Sequence, residues 1–148
     1  CAACHPTDPQ DDGTRPLFTD FSYDNLGVPK HPYNPFLSMP RSINPAGTAF
    51  VDTGLGKTVG KKSEAGKFRV PTLRNIELTA PYMHNGVLKT LKDVVDFYNT
   101  RDVDKKWGKP EVAVNVNKDE LGDLKLTEQE VEDLVVFMKT LTDGYQPE

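Results

Sequence analysis

Cys1, Cys4 and His5 stand together as "CAACH", and no other residues in this chain imply chemistry so directly by type and spacing. Read as a disulfide, the short C-x-x-C would be a redox pair, but nothing around it suggests a βαβ redox fold. Read as a zinc site, it lacks a second pair of ligands, and the chain has only these two cysteines. With a histidine directly after the second cysteine, it matches the pattern for covalent c-type haem attachment. Positions three apart share a helical face, so both sulfurs can meet the two vinyl-derived carbons on one haem edge. His5 is then placed to swing under the ring and ligate iron. Attachment of this kind takes place outside the bacterial cytoplasm, which predicts an exported, periplasmic chain.

An iron held by His5 has one face left. His, Met, Tyr or Lys could fill it, or it could stay open for a substrate. His31, in "KHPYNP", reads as an exposed loop histidine. Met39 in "LSMPRS" and Met83 in "APYMHNG" are loop methionines able to reach iron, whereas Met138 falls on a helical stripe and reads as core. Tyr98 occupies the inward face of its helix, where a phenol needs a partner for its hydroxyl. Iron would serve, and so would a buried hydrogen bond. From the residues alone the choice stays open.

Two helices are needed to position these groups. In "KTLKDVVDFYN", Leu91, Val94, Val95 and Tyr98 make one apolar stripe, and Thr90 with Asp93 predicts the N-terminus. In "LTEQEVEDLVVFMKTLTDG", Thr127 and Glu130 form a capping box, and Gly144 is the expected stop. Val131, Leu134, Val135, Met138 and Leu141 make its buried face. Residues 6–66 hold most of the turn formers and predict a long irregular excursion. So long a loop is unusual in a compact domain, but it is tolerable when wrapped around a haem. The expected fold is mostly α, a c-type cytochrome domain over residues 1–148 with long irregular loops around one covalently bound haem, and no convincing sheet.

Composition agrees with this. The apolar fraction is 36% in 148 residues, with 12 prolines and 11 glycines, so a large apolar cofactor would replace missing core volume. The net charge of −4 argues against nucleic acid or an anionic membrane as partner and weakly favours a basic contact patch on a protein partner. The longest apolar run, Leu134–Met138, is far too short to span a bilayer.

The stretch Gly66–Asn99, "GKFRVPTLRNIELTAPYMHNGVLKTLKDVVDFYN", resembles the C-terminal haem domain of the bacterial di-haem cytochrome c peroxidase and MauG family. The resemblance extends to C-x-x-C-H at the start, "DNLGVP" at Asp24–Pro29, and the closing "LTEQEVEDLVVFMKTLTDGY". In the peroxidase branch, a methionine at a fixed distance after "PY-x-H" is this haem's sixth ligand. Counting from His84, the matching position here is Tyr98, which departs from that branch and resembles MauG, where a tyrosine ligates. The resemblance therefore implies Tyr98 as the distal ligand, with Met83 the alternative. A thioether favours ferrous iron and raises the potential. A phenolate is hard and anionic, favours ferric iron, and points toward storing oxidising equivalents.

The resemblance also implies a calcium ion between two haem domains, held here by the main-chain carbonyls of Thr79 and Pro81, with the remaining ligands from elsewhere. Arg74 in "PTLRN" would be a propionate partner; a surface arginine is the other reading. His84 would sit near the haem edge and the interdomain boundary. Trp107 reads as a loop-packing anchor before an electron relay.

Two functions compete. By resemblance the chain is read as the electron-transfer half of a di-haem oxidoreductase, with hydrogen peroxide reacting at a second haem in an upstream domain or companion chain, alongside a redox protein partner. Alternatively it is a mono-haem electron-transfer cytochrome, or a haem subunit without catalysis of its own. No catalytic residue is expected in this chain. The helix that leads into C-x-x-C-H in c-type domains would pack on Glu128–Leu141, so an opening on "CAACH" predicts a truncation, a processing point or an incompletely observed chain, with the Glu128–Leu141 stripe partly uncovered.

Overall fold

The computed structural model describes residues 1–9 and 11–144. Its α-helices are α1 (Leu55–Val59), α2 (Leu91–Thr100) and α3 (Glu128–Lys139). The chain is mostly helix and coil, as expected, and the two longer helices begin where the sequence puts them. Thr90 and Thr127 each accept a hydrogen bond from the backbone N–H three residues on, while Asp93 and Glu130 reach back to the cap N–H. Both starts are capping boxes.

A small sheet corrects the expectation of none: β1 (Tyr23–Asp24) pairs antiparallel with β2 (Phe68–Arg69), Tyr23 opposite Arg69. Strands of two residues are too short for alternation to register in a sequence. Residues 6–66 are otherwise the predicted excursion, interrupted by α1 and short 3-10 turns.

Asparagine side chains do much of the work of a sheet in these loops. Asn25 Nδ2 donates to the carbonyls of Val112 and Val114, at 3.1 and 2.8 Å. Asn99 makes both bonds to Leu126, donating to its carbonyl and accepting from its N–H. Buried backbone groups away from ladders need such partners.

The core gathers Val28, Tyr82, Leu88, Leu91 and Phe97 where α2 packs on α3, and Phe97 has no exposed surface. Trp107 meets Phe97 edge-on at 5.4 Å, and its indole N–H donates to Thr100 Oγ1 at 2.9 Å. These are the contacts of a packing anchor. On α3, Val131 is buried and Met138 half-buried, while Val136 and Phe137 remain exposed. Among the described residues, no helix is long and apolar enough to cross a membrane.

Candidate cofactor site

A cavity of about 590 Å3 is lined by residues from the opening turn, the 66–84 segment, α2 and α3. Its walls are mainly apolar, including Val28, Val70, Ile76, Leu91, Leu124 and Phe137. That size and lining suit a small-molecule or cofactor site.

Residues 1–5 form one hydrogen-bonded turn, in which the Cys1 carbonyl accepts from the N–H groups of Cys4 and His5 at 3.2 and 2.9 Å. Cys1, Cys4 and His5 all line the cavity, and both thiols are free. Burial pushes the Cys4 thiol pKa up, helped by Glu120, Asp20 and Asp24.

His5 Nδ1 donates to the Phe18 carbonyl at 2.7 Å. A carbonyl only accepts, so the proton sits on Nδ1 and Nε2 keeps its lone pair, the tautomer that binds metals. Burial also lowers the His5 pKa, against a smaller opposing effect from the Phe18 bond. The neutral, ligand-competent ring is favoured.

Tyr98 lines the same cavity from α2 and is half-buried. Among the described residues, no hydrogen bond is made by its hydroxyl. Burial pushes the phenol pKa up to about 12, and the Cys4 and Asp24 charges act in the same direction. At neutral pH it is a phenol, and binding iron would require release of its proton.

The other candidates divide. Met83 and Met138 line the cavity and also pack against the core. Met39 is 41% exposed and lies off the cavity wall. His31 is half-buried, accepts from the Tyr33 N–H through Nδ1, and lines only a separate pocket of about 40 Å3. His84 lies flat on the Phe68 ring, with centroids 3.5 Å apart, and lines both cavities. Burial lowers its pKa, with Asp52 opposing.

Arg74 lines the cavity too. Its Nε donates to the Pro16 carbonyl at 2.9 Å and its guanidinium lies 5.1 Å over the Phe18 ring. Its terminal nitrogens remain available for a carboxylate. Thr79 and Pro81 are exposed on the cavity rim. No group of three or more His, Cys, Asp or Glu able to hold a metal occurs among the described residues, so a cation at Thr79 and Pro81 would depend on main-chain oxygens.

Several contributors escaped the sequence reading. Phe18 fixes His5 through its carbonyl, while its ring supports Arg74 and meets Phe137 edge-on at 6.0 Å. Asp24 and Glu120 line the cavity, bridged by Asn117. Only Asp24 carried a signal, as the first residue of "DNLGVP".

No protein-family model matches the chain. It is 38% identical to methylamine utilization protein MauG of Paracoccus denitrificans, over 99% of this chain and 40% of that protein. It is 36% identical to cytochrome-c peroxidase IdrP1 of Denitromonas iodatirespirans, over 96% of this chain and 36% of that protein. The crystal structure of the diheme peroxidase BthA from Burkholderia thailandensis superposes with a TM-score of 0.74 at 32% identity, covering 97% of this chain and 39% of that one. The chain thus spans about two-fifths of the length of these relatives. Similar in sequence and fold over nearly all its residues, the chain belongs to the MauG-like di-haem peroxidase family.

Proposed function

We propose that this chain is a haem c domain of an exported di-haem oxidoreductase, relaying or storing oxidising equivalents for peroxide-dependent chemistry at a second haem outside it. One observation carries the reading: Cys1, Cys4, His5 with its Nε2 lone pair, and the unpartnered Tyr98 hydroxyl all line one apolar cavity. When bound there, a haem supplies one-electron redox chemistry whose potential its axial ligands set.

Cys1 and Cys4 would anchor the group through thioethers, each sulfur adding to a vinyl carbon. His5 would hold the iron through Nε2 and Tyr98 through its phenolate, with Met83 as the competing donor. Arg74 would offer its terminal nitrogens to a propionate, in a geometry that already fixes its Nε. As a hard anion, a Tyr98 phenolate would favour the oxidised metal, which suits storage better than high-potential electron entry. The Thr79 and Pro81 carbonyls would contribute to a calcium site completed by another domain. The partners are that domain, as an upstream segment or a companion chain, and a redox protein.

The test is Tyr98→Phe in the haem-loaded chain. The ferric absorption spectrum should change and the reduction potential should rise. An unchanged spectrum, or a methionine–iron band near 695 nm in the parent, would transfer the distal position to Met83. A single C-x-x-C-H also fits a mono-haem electron-transfer cytochrome. Haem counting on the intact active particle separates the two, since one haem per active particle would rule out the di-haem reading.

A further inference from the structure

Asn117 sits between two carboxylates on the cavity wall. Its Nδ2 donates to Asp24 Oδ2 at 2.6 Å and to Glu120 Oε2 at 2.7 Å. Its Oδ1 is held by the N–H groups of Asp119 and Glu120, each at 3.1 Å, and Asp24 Oδ1 accepts from the Asn25 N–H at 2.7 Å. The Asn117 carbonyl accepts from Arg101 at 2.7 Å. Every polar atom of the Asn117 side chain is engaged, so the bridge is held on all sides.

The pair carries two negative charges with a neutral amide between them. The buried cation among the described residues is spent elsewhere: Arg101 pairs with Asp102 and donates to the carbonyls of Leu26, Asn117 and Leu121. Among the described residues, neither Asp24 nor Glu120 takes part in an ion pair. Both line the cavity alongside Cys4 and Tyr98.

We propose that Asp24 and Glu120, fixed by Asn117, are an anionic pair that holds down the reduction potential of a haem bound in this cavity. The inference rests on the proposed haem site but not on which residue is the distal ligand. A fixed negative charge stabilises the more positive redox state, and a wall of low polarity screens it less than water does. Asp24 and Glu120 are positioning residues in this scheme, acting on the cofactor through space.

The experiment is redox potentiometry of the haem-loaded chain, read from its absorption bands, on Asp24→Asn, Glu120→Gln, the double variant and Asp24→Glu. Asp24→Asn should raise the ferrous-to-ferric ratio about tenfold at fixed solution potential, equivalent to about 59 mV upward for one electron. Glu120→Gln should move it the same way by less, because its side chain is exposed. The double variant should give the larger shift, and Asp24→Glu should stay at the parent potential. Parent-like potentials in both amide variants would overturn the proposal. If Asp24→Asn alters the ferric spectrum or fails to fold, Glu120→Gln decides alone. Tyr98→Phe, run in parallel, reports separately on ligation: an unchanged spectrum removes Tyr98 as ligand and leaves the carboxylate test standing.

Discussion

The imidazole of His5 is oriented by a main-chain oxygen, the carbonyl of Phe18, 2.7 Å from Nδ1. A side-chain partner could be lost by mutation or swing away, whereas this one is set by the path of the loop. The Phe18 ring is itself buried, with the Arg74 guanidinium above it and Phe137 at its edge. A candidate ligand and a candidate propionate partner thus lean on one residue.

The first prediction follows from that orientation. In the haem-loaded chain, His5→Gly should lose proximal ligation, and millimolar imidazole should restore much of the parent spectrum by entering the vacated space. Absorption spectra with and without imidazole check it. No recovery at any imidazole concentration would mean that the cavity does not present this position to the iron.

Tyr98 gives a prediction in the absence of cofactor. A hydroxyl that faces a cavity and makes no hydrogen bond within the protein contributes little net stability. Tyr98→Phe should therefore leave the stability of the cofactor-free chain within about 0.5 kcal/mol of the parent, or slightly above it. Urea unfolding measures this. A loss of several kcal/mol would show that the hydroxyl has a structural partner and is not held in reserve for a ligand.

The site was legible in the sequence where chemistry is written in short spacings. Cys1, Cys4 and His5 were readable as one cluster because they are neighbours in the chain, and they do line one cavity; Thr90 and Thr127 were readable because capping boxes are four residues long. Tyr98 was readable as inward-facing from helical period, whereas the role proposed for it comes from a family resemblance. Phe18 was invisible because its contribution is a carbonyl, which every residue possesses. Asn25, Asn99 and Asn117 were missed because each bridges segments far apart in the chain, and nothing local marks an asparagine as a surrogate for a strand.

Arg101 is the largest such omission. It lies three residues beyond Tyr98, its side chain is 3% exposed, and it bonds Asp102 and three carbonyls. Removing it orphans those oxygens together. Arg101→Met should cost about 2–4 kcal/mol, chiefly from the carbonyls left without a donor, since Asp102 is itself exposed and can turn to water. Arg101→Lys should recover only part, since an ammonium cannot match the planar fork. Chemical denaturation of both variants checks the magnitude and the order; a Lys variant as stable as the parent would refute the multidentate account.

Gly66 tests the link between loop and site by steric means alone. Its φ is +81°, a region side chains rarely adopt, and a Cβ there would overlap the Asn25 side-chain amide and sit 2.9 Å from Val112 Cβ. Asn25 cannot yield cheaply, because Nδ2 holds the Val112 and Val114 carbonyls and Oδ1 holds the Gly27 N–H. Gly66→Ala should therefore combine backbone strain with damage to that clamp, for a loss of about 2–4 kcal/mol. The next residue but one, Phe68, pairs with Asp24 in the sheet, so the disturbance should reach the cavity wall. Gly60, also at positive φ but with nothing near its Cβ position, is the control. Gly60→Ala should lose only the strain, about 1 kcal/mol. Thermal unfolding of the two variants separates the contributions, and equal losses would show that the Asn25 clamp carries no weight.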